Sequence, residues 1–327
     1  MAVEVVCSSP SSPSSPVNAS LVAARAEELL FQSPYFFLRN LPIELQQAHF
    51  GTGIALQFGA EATEEVLNFG ITSTLGQWLL SHLPWDSVHF ETLTYRLFTG
   101  LMPSGTDPAA MVAAAAELRQ TLAQRGPFYA FSIVPAEDLA LLQGLTGAGW
   151  QLIETRLHYY HDGVANFKYP RHAVRQTGPT DAAKVAKVAA VGRNNFDRYH
   201  ADPWFGPARA DAYLATYARA AVEGLADAVL VPDEIGLPLD SFLAISDLRA
   251  DSIVLGVGMS RVLLTAVGPE NRGWHVKLVA ETVHRAREMG HQYVLMTTQA
   301  TNRAVFRTSE KLGFKLGATS HVLACRG

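Results

Sequence analysis

The chain has 327 residues, a formal charge of -4 with histidine neutral, and a composition 48% hydrophobic and 17% charged. Those values describe an ordinary globular protein of one large domain or two of about 150 residues. They give no support to bulk nucleic-acid binding, and no apolar run approaches the roughly 18 residues that would span a bilayer.

Cys7 and Cys325 are too few for a disulfide framework, and no Cys/His spacing suggests a zinc site, so no metal is expected. The N-terminus lacks the basic n-region of a signal peptide, which makes the cytoplasm the expected compartment. Residues 8–16 are almost all Ser and Pro, and residues 1–20 read as a flexible tail. Leu21–Leu30 reads as a short helix. Between 51 and 83 the pattern suggests a strand at Gly53–Phe58 and helices at Ala62–Leu67 and Leu75–Leu83.

The alternating run Leu93–Leu97 suits a half-buried strand. Thr106-Asp107-Pro108 supplies an N-cap candidate and a first-turn proline for a helix over Ala109–Gln124. A strand at Phe128–Val134, a helix at Ala136–Leu145 and a strand at Trp150–Tyr160 follow. Strands alternating with helices indicate a layered α/β domain. Beyond a linker at 162–172 comes a strand at 173–178 and a helix over Ala182–Val191. The aromatic, His-bearing loop 193–205 precedes a helix over 208–223. Ala226–Val231 and Ser241–Ser246 read as strands, and Ile253–Met259 as a short strand or turn.

The stretch 261–314 organises the rest. Val262–Val267 is a β-branched strand, and the turn Gly268–Gly273 leads into a helix with Leu278, Val279, Val283 and Ala286 on one face. Gly290 stops that helix. A strand at Tyr293–Thr298 and a helix opening near Asn302 complete the unit. A strand that turns into a helix N-terminus aims unpaired N–H groups and a positive dipole end at one point, an arrangement suited to phosphate.

An internal echo accompanies it. Gly149-Trp150-Gln151-Leu152-Ile153-Glu154-Thr155 matches Gly313-Phe314-Lys315-Leu316-Gly317-Ala318-Thr319 at glycine, aromatic, leucine and threonine, in the same order of elements. Two related α/β halves are expected, only the second having an Arg-Gly turn before its helix.

Residues 267–273, the Asn302–Phe306 segment and Glu310-Lys311-Leu312-Gly313-Phe314 together resemble the GNAT superfamily of acetyl-CoA-dependent N-acetyltransferases. The Leu83–Ser87 motif, the loop Phe196–Pro203, Thr298-Gln299 before Asn302 and the two-half layout resemble its dTDP-fucosamine acetyltransferase branch. The resemblance implies an α/β (α+β) chain of two GNAT-like halves, each a mixed central sheet flanked by helices. The N-terminal half (21–165) would be degenerate and the C-terminal half (170–327) the acetyltransferase. It implies acetyl-CoA as co-substrate, with pyrophosphate on the amides of Arg272, Gly273, Trp274, His275, Val276 and Lys277. Pantetheine would pair with the main chain near Thr265 and Val267, and Asn302 and Phe306 would contact the cofactor from the other side.

His275 and Lys277 stand where the family keeps small residues, and Ser309 stands where many members carry a tyrosine that protonates the thiolate. Serine is a poor general acid, so a water or another residue would share that work. Each position also has a plainer reading. Asn302 suits a helix N-cap, Ser309 shares a helix face with Val305 and Leu312, and loop 193–205 suits a surface loop anchored by Phe196 and Trp204. As an acceptor site, that loop would use Phe196, Arg198 and Tyr199 to orient the substrate and His200 as base. Glu270 and His321 are outsiders for the same duty, and Trp85-Asp86-Ser87 reads as a structural corner. The expected function is direct acetyl transfer to a small amine, with a nucleotide-linked amino sugar as the acceptor implied by the branch. A non-catalytic acyl-CoA sensor or degenerate scaffold is the alternative. The expected partners are a small-molecule amine and a second copy in a homodimer, with neither nucleic acid nor membrane.

Overall fold

The computed structural model describes residues 15–71, 74–192 and 194–327. Four short helices open the described chain: α1 (Ala19–Ala24), α2 (Ala26–Phe31), α3 (Ile43–Phe50) and α4 (Thr52–Gln57). Then come β1 (Glu64–Ile71), β2 (Thr74–His82), α5 (Pro84–Phe90), β3 (Leu93–Leu101), α6 (Pro108–Ala123), β4 (Phe128–Pro135), α7 (Leu139–Gly147) and β5 (Gln151–His161). The second half contains β6 (Val174–Gln176), α8 (Ala182–Val191), α9 (Arg198–Ala201), α10 (Pro207–Ala220), β7 (Ala228–Pro232) and β8 (Ser241–Ser246). It closes with α11 (Arg249–Leu255), β9 (Met259–Val267), α12 (Trp274–Glu288), β10 (Tyr293–Gln299), α13 (Arg303–Leu312) and β11 (Lys315–Arg326).

The strands form one mixed sheet in the order β1-β2-β3-β4-β11-β5-β10-β9-β8-β7-β6. The order reads nearly the same from both ends. β3 pairs parallel with β4 and β9 with β10, each joined through a helix, α6 or α12. The centre is an exchange. β5 leaves the first half to pair with β10, and β11 leaves the second half to pair with β4. The two exchanged strands pair with each other, and they are the strands that the Gly-aromatic echo introduces. The division at 165–170 therefore falls in a chain linker that the sheet crosses.

Helices cover both faces. Leu278, Val279, Val283 and Ala286 of α12 pack on Ile245, Val262, Val294 and Met296. On the other face, α8 and α10 pack on Phe242, Ala244 and Ala266. In the first half α6 and α7 bury Trp78, Leu80, Leu97 and Ala130. Leu79, the residue between Trp78 and Leu80, is buried on the opposite face with α1, α2 and α4. Tyr35, Leu38 and Phe50 reach across to Met259, Tyr293 and Leu295.

Several local expectations are corrected. Leu75–Leu83 and Ala62–Leu67 lie in or around β2 and β1 rather than in helices. β2 is apolar on both faces, and such a run carries no alternation to distinguish it from a buried helix. Gly53–Phe58 falls in α4 instead of a strand, because Ile54, Ala55 and Phe58 recur at helical spacing toward one cluster. Ile253–Met259 is the end of α11 followed by the start of β9. Residues 18–20, placed in the expected tail, are held on the fold: Asn18 accepts from Ser20 N at 2.9 Å and its own N–H donates to Gln77 Oε1 at 2.8 Å. These contacts dock the segment on β2. Residues 1–14, with Cys7, and Arg193 of the aromatic loop lie outside the described residues.

Candidate active site

β9 and β10 pair only from Met259↔Tyr293 to Val262↔Met296. Beyond that point each strand stays with its outer neighbour: β9 follows β8 to Val267 and β10 follows β5 to Gln299. The two strands diverge, and residues 263–267 present an inner edge to which β10 no longer pairs. Such an edge can bind an extended chain through main-chain hydrogen bonds.

The turn after β9 is fixed from below. Gly268 N donates to Asp240 O at 2.6 Å and Glu270 N to Asp240 Oδ2 at 2.8 Å. Asn271 Nδ2 donates to Pro238 O at 3.1 Å and Ser241 Oγ at 3.0 Å. Gly273 has φ +88°, a left-handed conformation that favours glycine, although no atom within 4 Å would meet an added Cβ. α12 starts there with no side-chain cap and no acidic residue in its first turn, so its leading N–H groups have no side-chain acceptor. The equivalent helix of the first half differs. Asp107 caps α6 through Ala109 N at 3.1 Å, placing a carboxylate where a phosphate would sit.

The wedge opens into a cavity of about 710 Å³ lined by both halves. The second half contributes β9 from Val262 to Val267, β10 from Met296 to Gln299, His275, Asn302, Tyr199 and Tyr217; the first contributes Arg96, Phe131, Glu154 and Arg156. Glu154 is buried, its Oε1 accepts from Arg156 Nε, and its Oε2 has no hydrogen-bond partner. Asp197, also in the lining, is fully occupied: it accepts from Tyr199 N at 2.9 Å and His200 N at 3.1 Å and meets His200 Nδ1 at 2.8 Å. Burial brings the His275 imidazole down to about 4, so that it is neutral at pH 7. Its Nδ1 lies 2.8 Å from Thr308 Oγ1, and its buried Nε2 has no partner.

Of the residues expected at the site, Thr265, Val267, His275, Asn302, Arg198 and Tyr199 line the cavity. Asn302 also caps α13, accepting from Val305 N at 3.3 Å. Arg272 and Gly273 are exposed at the turn. Trp274 and Val276 commit their side chains to the core, which leaves only their main-chain groups to a ligand. Lys277 is turned away, 4.2 Å from the Trp274 ring centre and 3.2 Å from Glu234. Phe306 and Phe196 are absent from the lining, and Phe196 is 57% exposed.

Both side chains expected to be catalytic have their polar atoms engaged by neighbours. Ser309 is 0% exposed and donates to Val305 O at 2.9 Å, so its hydroxyl is used within its own helix. His200 is held between Asp197 and Asp211 Oδ1, the latter at 3.0 Å, with both ring nitrogens engaged. His321 meets Thr155 Oγ1 at 3.1 Å outside the cavity lining. Ser87 binds Leu83 O at 2.7 Å and Thr94 N at 2.9 Å, contacts that hold the corner before β3. Glu154 and Arg96 were missed. The signal for Arg96 was a charge in a strand otherwise rich in buried residues; β5 gave none for Glu154, since most of its residues are only partly buried. Among the described residues no group of three or more His, Cys, Asp or Glu side chains is arranged to hold a metal, and no helix is long and apolar enough to cross a membrane.

Compared as a sequence, the chain matches no protein-family model and no curated protein. Compared as a fold, it is similar to a GCN5-related N-acetyltransferase from Sphaerobacter thermophilus. The TM-score is 0.57 at 12% identity, covering 96% of this chain and 94% of that one. A tandem GNAT protein from the clavulanic acid biosynthesis pathway aligns with a TM-score of 0.50 at 14% identity, covering 96% and 97%. The GCN5-related glucosamine N-acetyltransferase region of a fungal multi-domain GH3 beta-N-acetylglucosaminidase gives 0.53 at 13% identity, covering 93% of this chain and 37% of that one. The architecture is thus the GNAT fold built twice in one chain.

Proposed function

We propose that the protein is an acetyl-CoA-dependent N-acetyltransferase whose working site lies in the second half and is completed by the first. One observation carries this reading: the unpaired edge of β9 and the uncapped start of α12 converge on the same cavity. The α12 start suits a pyrophosphate, and the β9 edge suits the amides of a pantetheine arm near Thr265 and Val267. Acetyl-CoA supplies the activated acyl group.

The chain's own residues do the rest. Glu154 Oε2 is a cavity-lining carboxylate oxygen without a hydrogen-bond partner, and it takes a proton from the acceptor ammonium. The free amine attacks the thioester carbonyl, forming the C–N bond. A main-chain N–H near Val267 stabilises the oxyanion. The C–S bond then breaks, and the second amine proton neutralises the thiolate. The acceptor is a small amine, for which the sequence resemblance implies an amino sugar carried on a nucleotide.

The ring of His275 in the phosphate turn and the sealed Ser309 favour a second reading, a module that binds acyl-CoA without turnover. Calorimetry with acetyl-CoA followed by a panel of amines separates the two. Absence of binding at high micromolar acetyl-CoA would sink both, and binding without turnover on any amine would favour the sensor.

A further inference from the structure

The cavity holds more cationic donors than its carboxylates engage. Arg198 is 7% exposed, its ring-facing guanidinium lies 3.8 Å from the Phe131 centre, and its Nε and Nη1 are buried without a hydrogen-bond partner. Nη2 bonds Tyr199 Oη, and the Asp86 carboxylate stands off, its Oδ1 at 3.9 Å. Arg96, on β3, lines the same cavity with its side chain exposed. Among the described residues its side chain has neither an ion pair nor a hydrogen bond. Enclosure by the cavity walls acts against its charge although the side chain is open to the cavity, and the charges of Arg156 and Arg198 act in the same sense. Glu154 serves Arg156, and Asp197 serves His200 and the start of α9.

A buried guanidinium with idle donors is costly to the folded chain, and the planar fork of arginine matches carboxylate and phosphate oxygens. We infer that the acceptor amine also carries an oxyanion, a carboxylate or a phosphate, held between Arg96 and Arg198 while its ammonium faces Glu154. The inference rests on the acetyl-transfer reading and specifies its acceptor. It also explains why the first half is retained, since Arg96 and Glu154 come from that half.

The test is calorimetry on the full chain with two matched pairs, glucosamine 6-phosphate against glucosamine and γ-aminobutyrate against butylamine, alongside a separate acetyl-CoA titration. One anionic member should bind at least about tenfold tighter than its neutral twin, and in Arg96→Gln that preference should fall below about twofold. The pair that shows it identifies phosphate or carboxylate as the source. Thermal stability of Arg96→Gln should be unchanged or higher, because no internal partner is lost; a structural arginine would lower it. Equal affinities within both pairs, including no binding of any of the four, overturn the inference. So does an Arg96→Gln variant that weakens acetyl-CoA and leaves the pair preference intact. If acetyl-CoA fails to bind while the preference persists, the transfer reading falls and the oxyanion site stands.

Discussion

Glu154 is buried, yet one of its oxygens is left without a donor at the cavity wall. A group that acts as general base contributes about 10²- to 10⁴-fold to turnover. Glu154→Gln should therefore lower kcat by that order and leave the acetyl-CoA Kd unchanged, since the turn and the β9 edge are elsewhere. Rates within a few-fold of the parent would remove Glu154 from the mechanism. Histidines give a separate prediction. Burial brings His275 to about 4, and burial with the charges of Arg156 and Arg261 brings His158 to about 4. Both folded values lie below the unfolded 6.5, so the unfolded chain takes up these protons first. Their stabilising effect is complete above about pH 6.5, is lost as pH falls toward 4 and is flat below, with a ceiling of about 3 kcal/mol for each ring. Urea unfolding of His275→Asn should show a shallower loss between pH 7 and pH 5 than the parent; parallel curves would mean that the ring is as free to charge in the fold as in water. At this scale the sequence pointed to Thr265, Val267 and Asn302, which the fold brings to the cavity lining, and to Ser309 and His200, whose polar atoms the fold engages elsewhere. A hydroxyl spent on its own helix and an imidazole clamped by two carboxylates look, in one dimension, like free catalytic groups.

The contrast between α12 and α6 turns on one side chain. Asp107 supplies α6 with its own anion, whereas α12 begins at a bare Gly273. Giving the second helix the character of the first should abolish its affinity for phosphate. Arg272 is exposed at the end of the turn, so Arg272→Asp adds an acid beside the α12 start without disturbing a packed group. Acetyl-CoA affinity should fall at least about tenfold, while the melting temperature moves little, as exposed substitutions usually change stability by less than about 0.5 kcal/mol. Unaltered affinity would place the pyrophosphate elsewhere. The α12 unit was legible because its strand, glycine turn and periodic helix follow one another directly. β1 and β2 were not legible. Leu79 packs under the N-terminal helices and Trp78 and Leu80 under α6 and α7, and a strand covered on both sides has lost the alternation by which strands are recognised.

Across the whole molecule, the halves are bound by more than a shared surface. The repeat of Gly-Trp and Gly-Phe motifs revealed two related units, but pairing partners lie beyond any local pattern, and the exchange of β5 and β11 could not be read from it. Without β11, β4 would lose its antiparallel neighbour along Phe131–Val134, and buried Val322, Leu323, Ala324 and Cys325 would lose their place in two clusters. Without β5, β10 would become an edge and the cavity would lose Glu154 and Arg156. An unpaired edge flanked by apolar surface invites aggregation. Residues 1–165 and 166–327 expressed apart should therefore be insoluble or unfolded, and expressed together they should assemble into a soluble pair that binds acetyl-CoA. The intact chain should melt in a single transition with calorimetric and van't Hoff enthalpies equal, despite a length at which separate domains commonly unfold independently. Two resolved transitions, or a second half that folds and binds acetyl-CoA alone, would show that the exchanged strands do not couple the halves. For the proposed transferase the coupling has a catalytic consequence: the turn assigned to phosphate belongs to one half and Glu154 and Arg96, assigned to the acceptor, belong to the other, so the exchange that holds the sheet together would also hold the two parts of the site in register.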